Sequence, residues 1–120
     1  MKTLLIVEDD VDIQDYYQIL LSDLGVRTVC AYTGKQGLDF IDAGEHIDLI
    51  LLDIVLPEMG GEEFFQELRL TRGNATRVIV CSVDEKLIEP LRLIGAIHGT
   101  FLKGDPGSTL VAMIQEQLGS

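Results

Sequence analysis

Glu8, Asp9, Asp10, Asp53, Ser82 and Lys103 have the types and spacing to do chemistry together, because each stands where a short apolar run stops. The run Thr3 to Val7 ends in Glu8, Asp9 and Asp10; Leu49 to Leu52 ends in Asp53; Val78 to Cys81 ends in Ser82; Gly99 to Leu102 ends in Lys103. Carboxylates brought together repel, so they must take up protons or a cation. Oxygen donors with no His or Cys among them favour magnesium, with manganese as a possible substitute. Magnesium typically keeps waters and binds one or two carboxylates plus a phosphate oxygen. The hydroxyl of Ser82 and the ammonium of Lys103 suit a tetrahedral anion held between metal and donors. Asp53 can then attack phosphorus, which makes the pattern that of an aspartyl-phosphate site.

The elements that must position these groups follow from periodicity. Unbroken apolar runs of four or five residues are what strands buried on both faces of a parallel sheet require. Between Val11 and Leu24, Ile13, Tyr16, Tyr17, Leu20, Leu21 and Leu24 form the stripe of an amphipathic helix, with Gly25 as its C-cap. Val26 to Ala31 reads as a strand, and Thr33 caps a helix through Leu38, Phe40 and Ile41 to Gly44. Pro57 and the Gly60-Gly61 pair force a loop after Asp53. A helix over Gly61 to Leu70 follows, with Glu62 and Glu63 complementing its dipole. Glu85 to Ile94 is apolar and helical, but Pro90 requires either a kink or a start near Glu89. Asp105 as N-cap and Pro106 as first residue open the last helix, marked by Leu110, Val111, Met113, Ile114 and Leu118. Strand and helix thus alternate five times. The α/β fold this predicts is a flavodoxin-like (βα)5 unit, a parallel sheet in the order 2-1-3-4-5 with helices on both faces. In that order the ends of strands one, three, four and five converge on one rim.

Composition narrows the function classes. Residues 1–120 read as one domain, nearly half apolar and without a linker or internal repeat. Nine basic against 20 acidic residues give a net charge of −11, which argues against nucleic acid or anionic membrane as direct partners. The apolar runs are far too short to span a bilayer and the start has no signal-peptide pattern. Cys30 and Cys81 lie inside predicted strands and read as two buried thiols in a reducing, cytoplasmic compartment.

Four motifs carry a resemblance to a known family: Leu-Ile-Val-Glu-Asp-Asp at Leu5–Asp10, Leu-Leu-Asp-Ile-Val-Leu-Pro-Glu-Met-Gly-Gly at Leu51–Gly61, Val-Ile-Val-Cys-Ser at Val78–Ser82 and Phe-Leu-Lys at Phe101–Lys103. In this order and spacing the chain resembles the response-regulator receiver domain of two-component signalling over essentially its whole length. The resemblance implies that Asp53 accepts a phosphoryl group from a sensor histidine kinase or histidine phosphotransfer protein. It implies Asp9, Asp53 and the main-chain carbonyl of Val55 as Mg2+ ligands, with Glu8 acting through water. Lys103 would pair with the phosphoryl oxygens and Ser82 would be the switch hydroxyl. Asp10 reads instead as a solvated or helix-capping neighbour. The implied output is a change in the face made by helix four, strand five and helix five, read by a downstream protein or an attached output domain. Leu87, Leu91, Leu93 and Ile94 are candidates for a partner or homodimer surface there, or for core. Such a domain assists its own phosphorylation and dephosphorylation but turns over no external substrate.

The sequence departs from the family pattern in places. Gly104, where members usually carry a cis proline, predicts a trans bond after Lys103 and a differently shaped loop. Thr100 replaces the aromatic or His that members often use at that switch position. Val55 and Val83, with Asp84 beside them, flank the phosphoryl position, and the two branched apolar groups should hinder the hydrolytic water. A phosphatase would want a second acid where Val55 stands, and a flavin or nucleotide carrier would not place Glu8, Asp9 and Asp10 against a phosphate. The alternative to phosphorylation is a pseudo-receiver, an interaction module that switches without it. His46 and His98 read as loop and packing residues rather than phosphodonors.

Overall fold

The computed structural model describes residues 1–119. Its elements are β1 (Thr3–Val7), α1 (Val11–Leu21), β2 (Arg27–Ala31), α2 (Gly34–Asp42), β3 (Leu49–Asp53), α3 (Gly61–Gln66), β4 (Arg77–Ser82), α4 (Glu89–Arg92), β5 (Gly99–Leu102) and α5 (Gly107–Gln117). All strand pairings are parallel and the order is β2-β1-β3-β4-β5, as the alternation of elements requires.

Successive side chains on a strand point to opposite faces, so each apolar run feeds two cores. Leu5 and Val7, Ile50 and Leu52, and Val78 and Val80 face one way, against Leu38 of α2, Phe64 and Phe65 of α3 and Leu91 of α4. Leu4 and Ile6, Leu49 and Leu51, and Ile79 and Cys81 face the other way, against Tyr17 and Leu21 of α1 and Leu110 and Ile114 of α5. Burial on both sides is why these runs carry no polar residue until the strand ends. The polar residues that follow surface together on the carboxyl rim.

Several element ends differ from the sequence reading, each for a local reason. Ser22–Leu24 continue α1 only as a 3-10 turn, and Gly25 closes it in the left-handed region. Gln14, Tyr17 and Leu21 are the residues of α1 that are buried, while Tyr16 is exposed. The α3 helix loosens after Gln66 into a π-type turn over Glu67–Thr71. Pro90 does not kink a long helix. Glu85–Leu87 form a separate 3-10 turn, and the four residues of α4 begin at Glu89 with Pro90 in their first turn. There its missing N–H has no carbonyl to serve. Leu91 is fully buried and Ile94 packs against the core, whereas Leu87 and Leu93 are exposed.

The loop after β5 also differs. Asp105 bridges back to Lys103, and Pro106 rather than Asp105 precedes the first helical residue, with no side-chain cap. The Lys103–Gly104 bond is trans, as expected, and Gly104 takes φ +104, a conformation in which a side chain would be strained. Cys81 is buried but Cys30 is only half-buried, on the sheet's β2 edge. Among the described residues, no helix is long and apolar enough to cross a membrane.

Candidate functional site

The ends of β1, β3 and β5 place Glu8, Asp9, Asp53 and Lys103 around one open cleft of about 360 Å3. Carboxylate oxygens of Glu8, Asp9 and Asp53 lie within 4.8 Å of one another. Lys103 Nζ is 3.1 Å from Asp53 Oδ2 and 3.8 Å from Glu8 Oε1. Asp53 is the last residue of β3 and is buried; its Oδ1 accepts the Val55 N–H at 3.3 Å, which folds the chain back over the strand end. Asp9 is exposed at the mouth. Val55, Val83, Asp10 and Ile13 complete the lining, with Val55 62 % and Val83 70 % exposed at the entrance.

Electrostatics follow from this crowding. Glu8 is only 1 % exposed. Burial first, then the hydrogen bond and charge of Asp53, push its carboxyl from an ordinary 4.5 up to about 9. Its Oε2 is buried with no hydrogen-bond partner. Burial alone would lower the Lys103 ammonium, but Asp53 and Glu8 outweigh it and hold it above its ordinary value. Behind Asp53, burial raises both the Tyr17 phenol and the neighbouring Cys81 thiol, the latter to about 12, so neither ionises near neutrality.

A buried carboxylate oxygen lacking a donor, beside two further carboxylates, is a set that a hard divalent cation would satisfy. The ammonium of Lys103 meets that cluster directly, 3.1 Å from Asp53 Oδ2, and is a donor that an incoming anion could share. The remaining expected residues are placed differently. Ser82 Oγ donates to the Asp84 carbonyl at 2.8 Å and accepts the Asp84 N–H at 3.1 Å, so its hydroxyl closes a turn beside the site. The Asp84 carboxylate accepts the Lys86 N–H at 2.9 Å and caps the Glu85–Leu87 turn instead of lining the cleft. Thr100 is half-buried in β5 and outside the cleft. Asp10 caps α1 by accepting the N–H groups of Asp12 and Ile13. His46 is exposed beside Asp48, and His98 Nδ1 accepts the Val78 N–H at 3.1 Å at the start of β4.

Sequence reasoning missed Gln14, which is buried against the strand ends below Glu8. The signal was present: residue 14 lies three positions before Tyr17 on the buried face of α1, and a polar side chain there needs a partner.

Comparison with known proteins adds a family. Residues 4–115 match the family model described as the response regulator receiver domain. The chain is 35 % identical over 85 residues to the transcriptional regulatory protein CpxR of Escherichia coli strain K12, covering 71 % of this chain and 36 % of that one. It is 34 % identical over 88 residues to the regulator of RpoS of the same organism, covering 73 % of this chain and 26 % of that one. A CheY-like response regulator receiver domain protein from Methanospirillum hungatei superposes with a TM-score of 0.86 at 28 % identity, covering 98 % of this chain and 94 % of that one. The chain thus spans about a third of the length of the curated relatives it matches.

Proposed function

The chain belongs to the response regulator receiver domain family, and from that premise we propose that it is a phosphorylation switch in which Asp53 accepts a phosphoryl group from a histidine kinase or histidine phosphotransfer protein in the cytoplasm. The observation that carries this reading is the buried Asp53 carboxylate with the Lys103 ammonium at 3.1 Å and two further carboxylates beside it. An Asp53 oxygen attacks phosphorus; the bond from phosphorus to the donor nitrogen breaks, and its electron pair returns to the donor imidazole. Lys103 offsets negative charge on the transferring oxygens. Asp9, Asp53 and the Val55 carbonyl would hold Mg2+, or Mn2+ in its place, with Glu8 acting through water. Bound there, the ion supplies the positive charge that lets a dianion approach a carboxylate.

The new group gives the Ser82 hydroxyl an acceptor to rival the Asp84 carbonyl, and the turn that Asp84 caps leads into α4. A switch built this way shifts the population of the α4–β5–α5 face, where Leu87 and Leu93 offer exposed apolar side chains to a partner or second copy.

The test is intact mass after incubation with acetyl phosphate and Mg2+, beside an Asp53→Asn control. One phosphoryl adduct on the wild type and none on the control is the expected result. No adduct on either would favour a pseudo-receiver that works as an interaction module alone. The adduct's decay tests the entrance valines. With Val55 and Val83 both largely exposed over the cleft, water reaches phosphorus past two branched apolar groups. Val55→Asn should speed the loss of phosphate by about tenfold, less than the roughly hundredfold or more of a positioned general acid or base. An unchanged decay would mean that these side chains do not gate the water.

A further inference from the structure

We propose that Gln14 is a positioning residue for the metal-binding carboxylates, acting through the main chain of Glu8, an inference that rests on reading the acidic cluster as a Mg2+ site. Gln14 is 1 % exposed, and its Nε2 lies 3.1 Å from each of three main-chain carbonyl oxygens, those of Ile6, Glu8 and Ala31. Two amide protons shared among three acceptors place this group at the junction where β1 and β2 end. The β1–β2 ladder has its last pair at Val7 and Ala31. One step beyond, the Glu8 N–H still donates to the Ala31 carbonyl at 3.0 Å, while the Glu8 carbonyl receives its donor from Gln14. Gln14 therefore supplies the rung that the sheet no longer can. It also ties the body of α1 to the turn over residues 8–10, which carries Glu8 and Asp9. Its Oε1 is buried with no partner, an orphan that an apolar side chain packing the same space would not carry.

Such outer support typically changes metal affinity about tenfold or more when removed. The experiment is Mg2+ titration calorimetry on chelator-treated wild type, Gln14→Met and Val78→Ala. Val78 is buried at the opposite end of β4 and reports the effect of general destabilisation. The expected result is a Mg2+ dissociation constant raised about tenfold in Gln14→Met and unchanged in Val78→Ala. The rate of adduct formation at saturating Mg2+ should stay at the wild-type level in both. Equal Mg2+ affinity in Gln14→Met and wild type overturns the proposal. The Gln14 side-chain amide resonances of the wild type give a second readout that needs no variant. They should exchange slowly with solvent and shift as Mg2+ is added; rapid exchange with no shift overturns the proposal even if Gln14→Met does not fold. A wild type that binds no Mg2+ overturns the reading of the site itself, before any variant is compared.

Discussion

In the presence of a chelator, the wild-type protein should lose stability as pH rises from about 4.5 to about 9, and Glu8→Gln should largely lack that loss. The cause is the placement of Glu8 at the end of a strand buried on both faces. Its carboxyl is out of water, beside the Asp53 carboxylate, with one oxygen unpartnered and Lys103 3.8 Å from the other. Burial and Asp53 both favour the protonated form, so the folded chain holds a proton that the unfolded chain releases near the ordinary 4.5. The folded state binds more protons throughout this window, so unfolding becomes easier as pH rises. The contribution is fully present below the unfolded value and is lost as pH climbs to the folded one. The slope for one group is ~1.4 kcal/mol per pH unit, which accumulates to roughly 3 kcal/mol by neutral pH.

Urea unfolding of both proteins between pH 5 and 9 measures this as the difference between two curves. Asp48 does not confuse it. The Thr3 N–H at 2.7 Å holds the Asp48 carboxyl below its ordinary range, so its contribution disappears on acidification, below the window. Saturating Mg2+ should remove most of the slope in the wild type, because a bound cation favours the ionised carboxylate. Parallel curves in chelator would mean that Glu8 is already ionised in the folded protein at neutral pH.

The same burial explains why much of the fold was legible in the sequence and some of the site was not. A strand covered on both faces must be apolar along its length, so Leu4 to Val7 and Leu49 to Leu52 announced themselves, and the carboxylates that broke them marked the rim. Strand order followed from alternation of elements, and with it the meeting of Glu8, Asp9, Asp53 and Lys103. What could not be read is what depends on side-chain direction. The engagement of the Ser82 hydroxyl with Asp84, and of the Asp84 carboxylate with Lys86, depends on local turn geometry that a residue type leaves open. Gln14 was passed over because the stripe through Ile13, Tyr16, Tyr17, Leu20, Leu21 and Leu24 counted apolar residues alone, and a glutamine on the same face carries no such signal. Tyr17 and Leu21 of that stripe are buried as expected, Gln14 joins them, and Tyr16 is exposed. The short α4 was undecidable for a related reason. Pro90 fits both a kink and a first turn, and only the fully buried Ile88 and Leu91 on either side choose the second.

Two adjacent glycines give the largest contrast between neighbouring substitutions. Gly61→Ala should destabilise the protein by about 2–3 kcal/mol, and Gly60→Ser should be neutral or stabilising by a few tenths of a kcal/mol. A Cβ on Gly61 would lie 2.6 Å from Ile54 Cα, 2.8 Å from the Asp53 carbonyl oxygen and 3.0 Å from that of Ile54. All three are main-chain atoms and cannot rotate aside as a side chain would. The Gly61 N–H donates to the Ile54 carbonyl at 2.8 Å, so this contact is how the loop from Asp53 closes onto the start of α3. To admit a methyl group, either α3 lifts Phe64 and Phe65 out of a core where both are fully buried, or the segment after Asp53 moves outward. Moving that segment shifts Val55, whose N–H meets the Asp53 carboxylate and whose carbonyl is proposed to face the cation. Gly61→Ala should therefore also weaken Mg2+ binding by more than its loss of stability alone would imply. Gly60 has open space around its Cβ position and caps α3 without a side-chain hydrogen bond, so a serine there adds a donor-satisfying oxygen at no steric cost. Urea unfolding and Mg2+ calorimetry on the two variants separate the effects. Equal stability of the pair would show that the loop and α3 can part without loss, and would remove the reason for assigning Gly61 a part in holding the site.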